Sequence, residues 1–250
     1  MFLLLFLKNN RGKIYKTKRF YFTMHYTLQD RGYFNALKII TDEFSRQGMP
    51  YALVGGAGTQ ARIANLLCRV QKTDIPNAVG LEHLLRETKD FDITSNVPEE
   101  TWIGYFNELQ ALHPNISVTT ERIRSKQLQI HGKEEATVFI NYQTGPQDFS
   151  GLDESFYKEC IETAEPLRLR YSGTNLSVQV ATPECLITSK LTRSDPKDVW
   201  DIAALVKTMK KYRQYSGKLK QDKIQEYLRR ANREEIIGRY DEIKKQIIKE

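Results

Sequence analysis

Cysteine is scarce in this chain and long apolar runs are missing, and each absence removes a class of protein. The three cysteines among 250 residues, Cys68, Cys160 and Cys185, are odd in number and far apart. That excludes a disulfide framework and the paired ligand spacing of a structural zinc site. It predicts buried thiols in a reducing cytoplasm. The apolar run from Phe2 to Leu7 spans six residues. It is too short to cross a bilayer, and it is followed by basic residues without a cleavage site, so no membrane partner is expected. There is no GxGxxG fingerprint of a dinucleotide fold and no Gly-Lys-Ser/Thr ending of a phosphate-binding Walker loop. Internal repeats and low-complexity stretches are missing too.

A shortage of acid is confined to the two ends. The net charge is +7, but residues 1–23 hold six Lys/Arg and no Asp or Glu, and the stretch from Lys207 to Glu250 holds fourteen against seven. The part between is net acidic, so the high isoelectric point alone does not mark the core as a nucleic-acid binder. Residues 1–23 read as an extension outside the fold, with Met24 standing just before the first credible helix.

Apolar periodicity gives the coarse architecture. Phe34, Leu37, Ile40 and Phe44 recur at helical spacing, and Gly48-Met49-Pro50 ends that helix. Tyr51 to Val54 is a short apolar strand running into Gly55-Gly56, and residues 57–67 read as a second helix. Residues 69–81 are polar and punctuated by Pro and Gly, which predicts a loop. Strands are expected around Phe91-Asp92-Ile93, at 128–131 and 136–142 as a hairpin, and at 176–180. Residues 98–112 read as a helix. After Pro183 four helices follow, at 184–192, 197–211, 222–230 and 233–249. The expected class is α+β: a mixed β-sheet flanked by helices over residues 24–182, followed by a C-terminal helical region over 183–250.

Three segments could carry chemistry. Gly55 and Gly56, where a strand turns into a helix, would let a phosphate approach helix N-terminal N–H groups, with Thr59 nearby; a tight connection alone also uses such a turn. In Thr88-Lys89-Asp90-Phe91-Asp92-Ile93, strand alternation puts Asp90 and Asp92 on one face. Two carboxylates so placed suit magnesium, which takes oxygen ligands and substrate phosphates; a solvated acidic strand end has the same pattern. Lys190 precedes a helix on which Asp198 and Asp201 share a face, and there Asp198 could simply complement the helix dipole.

Taken in order, "YALVGGAGTQARI", "RETKDFDITSN" and "ECLITSKLTRSDPKDVWDIAAL" resemble the nucleotidyltransferase fold of the DNA polymerase beta superfamily. More closely they are similar to AbiEii-type nucleotidyltransferases, the toxin halves of bacterial toxin–antitoxin and phage-defence pairs, and to their uncharacterised relatives. The resemblance covers about Tyr51 to Leu205. It implies a magnesium-dependent enzyme moving a nucleoside monophosphate from an NTP to a hydroxyl, on an RNA such as tRNA or on a protein, with a cognate antitoxin as partner. It also implies roles: Asp90 and Asp92 for one or two magnesium ions, Gly55 and Gly56 with Thr59 for the triphosphate, Lys190 for phosphate, Asp198 as the acid opening the late helix, and Asp201 as an accessory acid. The fold usually supplies a third acid from a neighbouring strand. Phe139 and Asn141 occupy the expected positions here, and Glu134 and Glu135 in the hairpin substitute poorly. Asn141 could ligate a metal through its carbonyl, yet it is a weak base. A catalytically inactive member that binds a nucleotide or a partner as a regulator is the competing expectation.

Overall fold

The computed structural model describes residues 26–88, 90–113, 117–121, 127–131, 137–143, 152–193 and 195–249. In chain order its elements are α1 (Arg31–Arg46), β1 (Ala52–Val54), α2 (Gly55–Gln71), β2 (Asp90–Thr94), α3 (Glu99–Leu112), β3 (Ser117–Glu121), β4 (Gln127–His131) and β5 (Thr137–Gln143). Then come α4 (Glu154–Glu162), β6 (Glu165–Tyr171), β7 (Thr174–Val180), α5 (Pro183–Leu191), α6 (Pro196–Lys211), α7 (Arg213–Ser216), α8 (Gln221–Arg230) and α9 (Ile237–Lys249). The class is α+β, as the pattern predicts. No helix among the described residues is long and apolar enough to cross a membrane.

The described strands form one mixed sheet in the order β3-β4-β5-β2-β1-β7-β6. β1 runs antiparallel to β2 and parallel to β7, while β2 runs parallel to β5. This topology puts β1 and β2 at the centre, where Leu53, Phe91 and Ile93 are buried and only Val54, Asp90 and Asp92 keep some exposure. The core lies around them. Phe44 of α1 stacks on Tyr105 of α3 with ring centroids 4.5 Å apart and meets Trp102 edge-on at 5.4 Å, geometries that add to plain burial.

The second helix holds the molecule together. It packs on β1, β2 and β6 with one side and on α5 and α6 with the other. Arg62 braces it, donating from Nε and Nη2 to the carbonyl of Ala181 (2.9 and 2.7 Å) and from Nη2 to that of Val180 (2.9 Å) at the end of β7. Proline opens both helices that follow. Thr182 caps α5 by accepting from the Cys185 N–H at 3.3 Å, and Asp195 caps α6 by accepting from the Lys197 N–H at 3.0 Å.

Some elements differ from expectation. α2 starts at Gly55 itself and runs to Gln71, so part of the expected loop is helix, and the rest contains single 3₁₀ turns at Ile75–Asn77 and Leu81–His83. β3, α4, β6 and α7 carry weak apolar periodicity: in β6 only Leu167 and Leu169 are buried, among alternating exposed residues. β4 and β5 pair as the expected hairpin; its turn at 132–135 lies outside the described residues, as do residues 1–23. All three cysteines are free thiols, Cys160 and Cys185 buried and Cys68 partly so, and burial pushes the Cys68 thiol up to about 11.

Candidate functional site

The site begins where β1 ends. Register sets Val54 opposite Asp92, so the chain turns into α2 beside that carboxylate. Gly55 makes the turn with φ of 61°, a conformation that L side chains rarely adopt. A Cβ on it would fall 1.8 Å from Asp92 Oδ2, so the acid fills the space a side chain would take. Gly56 is crowded as well: a Cβ there would lie 3.0 Å from Arg86 Nη2 and 3.4 Å from Thr88 Oγ1. Val54 gives α2 no side-chain cap. The N–H groups of its first turn have no acceptor within the helix, as at any helix start.

β2 presents the acids as alternation predicts. Asp90 and Asp92 are partly exposed on one side of buried Phe91. Their approach is fixed from several directions. Thr88 donates its hydroxyl to Asp90 Oδ1 at 2.8 Å, and Thr88 and Tyr26 exchange backbone hydrogen bonds of 2.8 Å each way. Tyr33, fully buried in α1, packs at a tilt against Phe91 with ring centroids 4.5 Å apart and donates its hydroxyl to the Asp90 carbonyl at 3.1 Å. Burial, reinforced by the charges of Asp90 and Asp92, pushes the Tyr33 phenol well above its ordinary range and keeps it a donor.

A second cluster joins the first through Arg86. Lys190 of α5 is 1% exposed, and its ammonium meets Asp201 at 2.5 Å and Asp198 at 3.3 Å, both on α6. Arg193 reaches Asp198 at 3.2 Å. Arg86 grips Asp201 with two N–H groups, Nε to Oδ1 at 3.2 Å and Nη2 to Oδ2 at 3.0 Å. Burial opposes the Arg86 charge, but Asp201, Asp198 and Asp90 outweigh it and hold the guanidinium protonated. Asp198 Oδ2 is buried without a hydrogen-bond partner among the described residues.

The structure thus brings Gly55, Gly56, Asp90 and Asp92 together and ties Lys190, Asp198 and Asp201 to them through Arg86. Two residues sit differently from the roles that the resemblance implies. Lys190 is buried, and its ammonium pairs with two buried carboxylates, Asp198 and Asp201. Thr59 is 2% exposed and donates its hydroxyl to the Gly55 carbonyl at 3.0 Å, so it steadies the turn from inside the helix. Asp198 does more than complement a dipole, because Asp195 is the cap and Asp198 is a buried ion-pair partner. On β5, register sets Asn141 level with Asp92 and Phe139 level with Asp90.

Sequence reasoning missed Arg86, Thr88, Tyr33 and Gln60. Arg86 and Thr88 stand just ahead of the acid pair, but nothing in sequence shows that the partner of Arg86 lies on a helix 115 positions later. Gln60 is buried; its side chain accepts from the Leu28 N–H at 2.8 Å and donates to the Arg86 carbonyl at 2.7 Å. The two carboxylates and the chemistry of their oxygens fit magnesium, whose remaining ligands are ordinarily water and phosphate. Among the described residues no cluster of three or more His, Cys, Asp or Glu forms a closed metal cage.

No protein-family model and no curated protein matches the sequence. Among solved structures, the chain is similar to a nucleotidyltransferase-like protein from Paracoccidioides brasiliensis, at 15% identity and a TM-score of 0.41 over 69% of this chain and 74% of that one. It is similar to the antibiotic-resistance factor ANT(2'')-Ia in solution, at 14% identity and a TM-score of 0.45 over 88% of this chain and 100% of that one. It is also similar to a protein from H. pylori described as a nucleotidyltransferase, at 13% identity and a TM-score of 0.39 over 90% of this chain and 98% of that one.

Proposed function

We propose that the protein is a nucleotidyltransferase that moves a nucleoside monophosphate from an NTP to an acceptor hydroxyl. The observation that carries the reading is the contact of Asp92 with the glycine turn: its carboxylate lies against a helix start that Val54 does not cap, at a backbone angle that favours glycine, and Asp90 follows on the same face of the strand. A phosphate chain would lie against the α2 N–H groups, which suit anions. Asp90 and Asp92 would hold magnesium, which supplies charge stabilisation at the phosphoryl oxygens when bound. Thr88 and Tyr33 orient Asp90 by hydrogen bonds to its side chain and its carbonyl. The protein's own part is positioning: it aligns the acceptor hydroxyl with the α-phosphorus so that pyrophosphate leaves in line.

An anionic acceptor such as RNA is supported by a cleft of about 610 Å³ near the far end of α6. Apolar Val206, Met209, Leu219 and Tyr240 line it together with five cations, Lys210, Arg213, Lys218, Lys220 and Lys244, and the acid Asp222. A role as the toxin of an AbiEii-like pair, with a cognate antitoxin, rests on the resemblance of the three sequence segments.

A second reading, a regulator that binds nucleotide without turnover, is favoured by Asn141 standing level with Asp92 where the fold usually has a third acid. The two separate in one assay: each labelled NTP is offered with magnesium and total tRNA to the full chain and to an Asp90→Asn/Asp92→Asn variant. Label that moves to RNA or protein, and is lost in the variant, supports the transferase. Nucleotide binding without any transfer supports the regulator.

A further inference from the structure

We propose that Arg86, in place of Lys190, is the side chain that grips the triphosphate tail, and that Lys190, Asp198 and Asp201 are its positioning cluster. This rests on the nucleotidyltransferase reading above and adds to it the residue that selects the donor.

A guanidinium carries five N–H donors in a rigid fork. Three of them are engaged here: Nε and one N–H of Nη2 on Asp201, and one N–H of Nη1 on the Glu87 carbonyl at 2.7 Å. One N–H on each Nη has no acceptor among the described residues. The side chain is 26% exposed, against 1% for Lys190, so the Arg86 head reaches solvent while the lysine head does not. Its Nη2 lies 3.0 Å from the point where a Gly56 Cβ would stand, which puts the donors over the first turn of α2. Spare charged donors, a helix start that Val54 does not cap and a glycine between them suit an oxygen-rich anion. Forked recognition of phosphate is what arginine does better than lysine.

The cluster behind it explains why Lys190 is buried. Asp201 accepts from both Lys190 and Arg86, and drawing the lysine toward a ligand would leave two buried carboxylates undercompensated. Gln60 holds the Arg86 backbone from the other side. Arg86 is therefore fixed at its main chain and by Asp201 along the Nε and Nη2 edge of its guanidinium, with Nη2 standing beside Gly56 in the first turn of α2.

The test is a titration of the full chain with the four ribonucleoside triphosphates, in calcium to suppress turnover. The tightest triphosphate, its diphosphate and its monophosphate are then compared on the wild type, Arg86→Gln and Arg86→Lys. The wild type should prefer the triphosphate to the monophosphate. Arg86→Gln should lose about ten- to a hundredfold of triphosphate affinity, the range of a charged hydrogen-bonded contact, with the monophosphate little changed. Arg86→Lys should recover part of the loss. If the wild type binds no triphosphate, the underlying functional reading fails. If it binds triphosphate and both variants keep the full preference over monophosphate, the assignment of Arg86 is overturned and the reading stands. Should Arg86→Gln unfold in a thermal scan, Arg86→Lys alone decides: an unchanged preference overturns the proposal, and a reduced one at an unchanged melting temperature supports it.

Discussion

Gly55 is the residue on which the geometry is least forgiving. Its φ of 61° and the Asp92 oxygen 1.8 Å from its would-be Cβ act together, one as backbone strain and the other as a clash. Gly55→Ala should destabilise the protein by about 2 kcal/mol or more and abolish metal binding, checked by urea denaturation and metal titration. Gly56 is different: its φ is ordinary, and its Cβ would press chiefly on Arg86 Nη2, the end of a flexible side chain. Gly56→Ala should leave the melting temperature nearly unchanged and weaken triphosphate binding, and a variant that binds normally would contradict the placement of Arg86. Lys190→Met leaves Asp198 and Asp201 buried without their ammonium, which should cost about 3–5 kcal/mol in chemical denaturation. These residues were unequally legible in sequence. The Gly-Gly turn and the Asp-x-Asp strand announce themselves because their meaning is local. The burial of Lys190 does not, since it depends on α5 and α6 closing on each other.

At the scale of elements, the link between α4 and α8 is electrostatic and testable by pH. Burial works against the Glu159 charge, but Lys223 at 2.7 Å, Arg230 at 2.8 Å and the Tyr227 hydroxyl at 2.9 Å outweigh it, and its carboxyl is held below the ordinary value of 4.5. A carboxyl depressed in the folded state adds stability that is present above the unfolded value and lost as pH falls through the folded one. Stability should therefore decline below about pH 4.5, and Glu159→Gln should flatten that acid limb; equal slopes for both proteins would contradict the contact. α4 itself escaped the sequence reading. Its nine residues bury only Phe156, Tyr157 and Cys160, too few for a helical repeat to stand out. β6 escaped for the parallel reason. By contrast α1, α3 and α6 were legible, because each keeps an apolar face over three turns or more.

For the molecule as a whole, α6 is the connecting rod. Its first turns carry Asp198 and Asp201 to the site, and its far end contributes Val206, Met209 and Lys210 to the basic cleft. At 1.5 Å per residue, Lys210 stands about 18 Å along the helix axis from Asp198. If the cleft holds a polyanionic acceptor, Lys218→Glu/Lys220→Glu should weaken RNA binding, make it less sensitive to salt, and leave NTP affinity unchanged. Equal salt slopes for variant and wild type would remove the cleft from the account. Net charge alone could not locate this surface, because the sum hides where the cations gather.

The central claim is that Asp90 and Asp92 hold a divalent ion against the start of α2, and manganese spectroscopy addresses it most directly. The full chain and its Asp90→Asn/Asp92→Asn variant are titrated with Mn²⁺ by electron paramagnetic resonance, with and without an NTP. The account predicts that the wild type binds Mn²⁺, more tightly when the nucleotide is present, and that the folded variant loses this site. Identical manganese binding by the two proteins would contradict it.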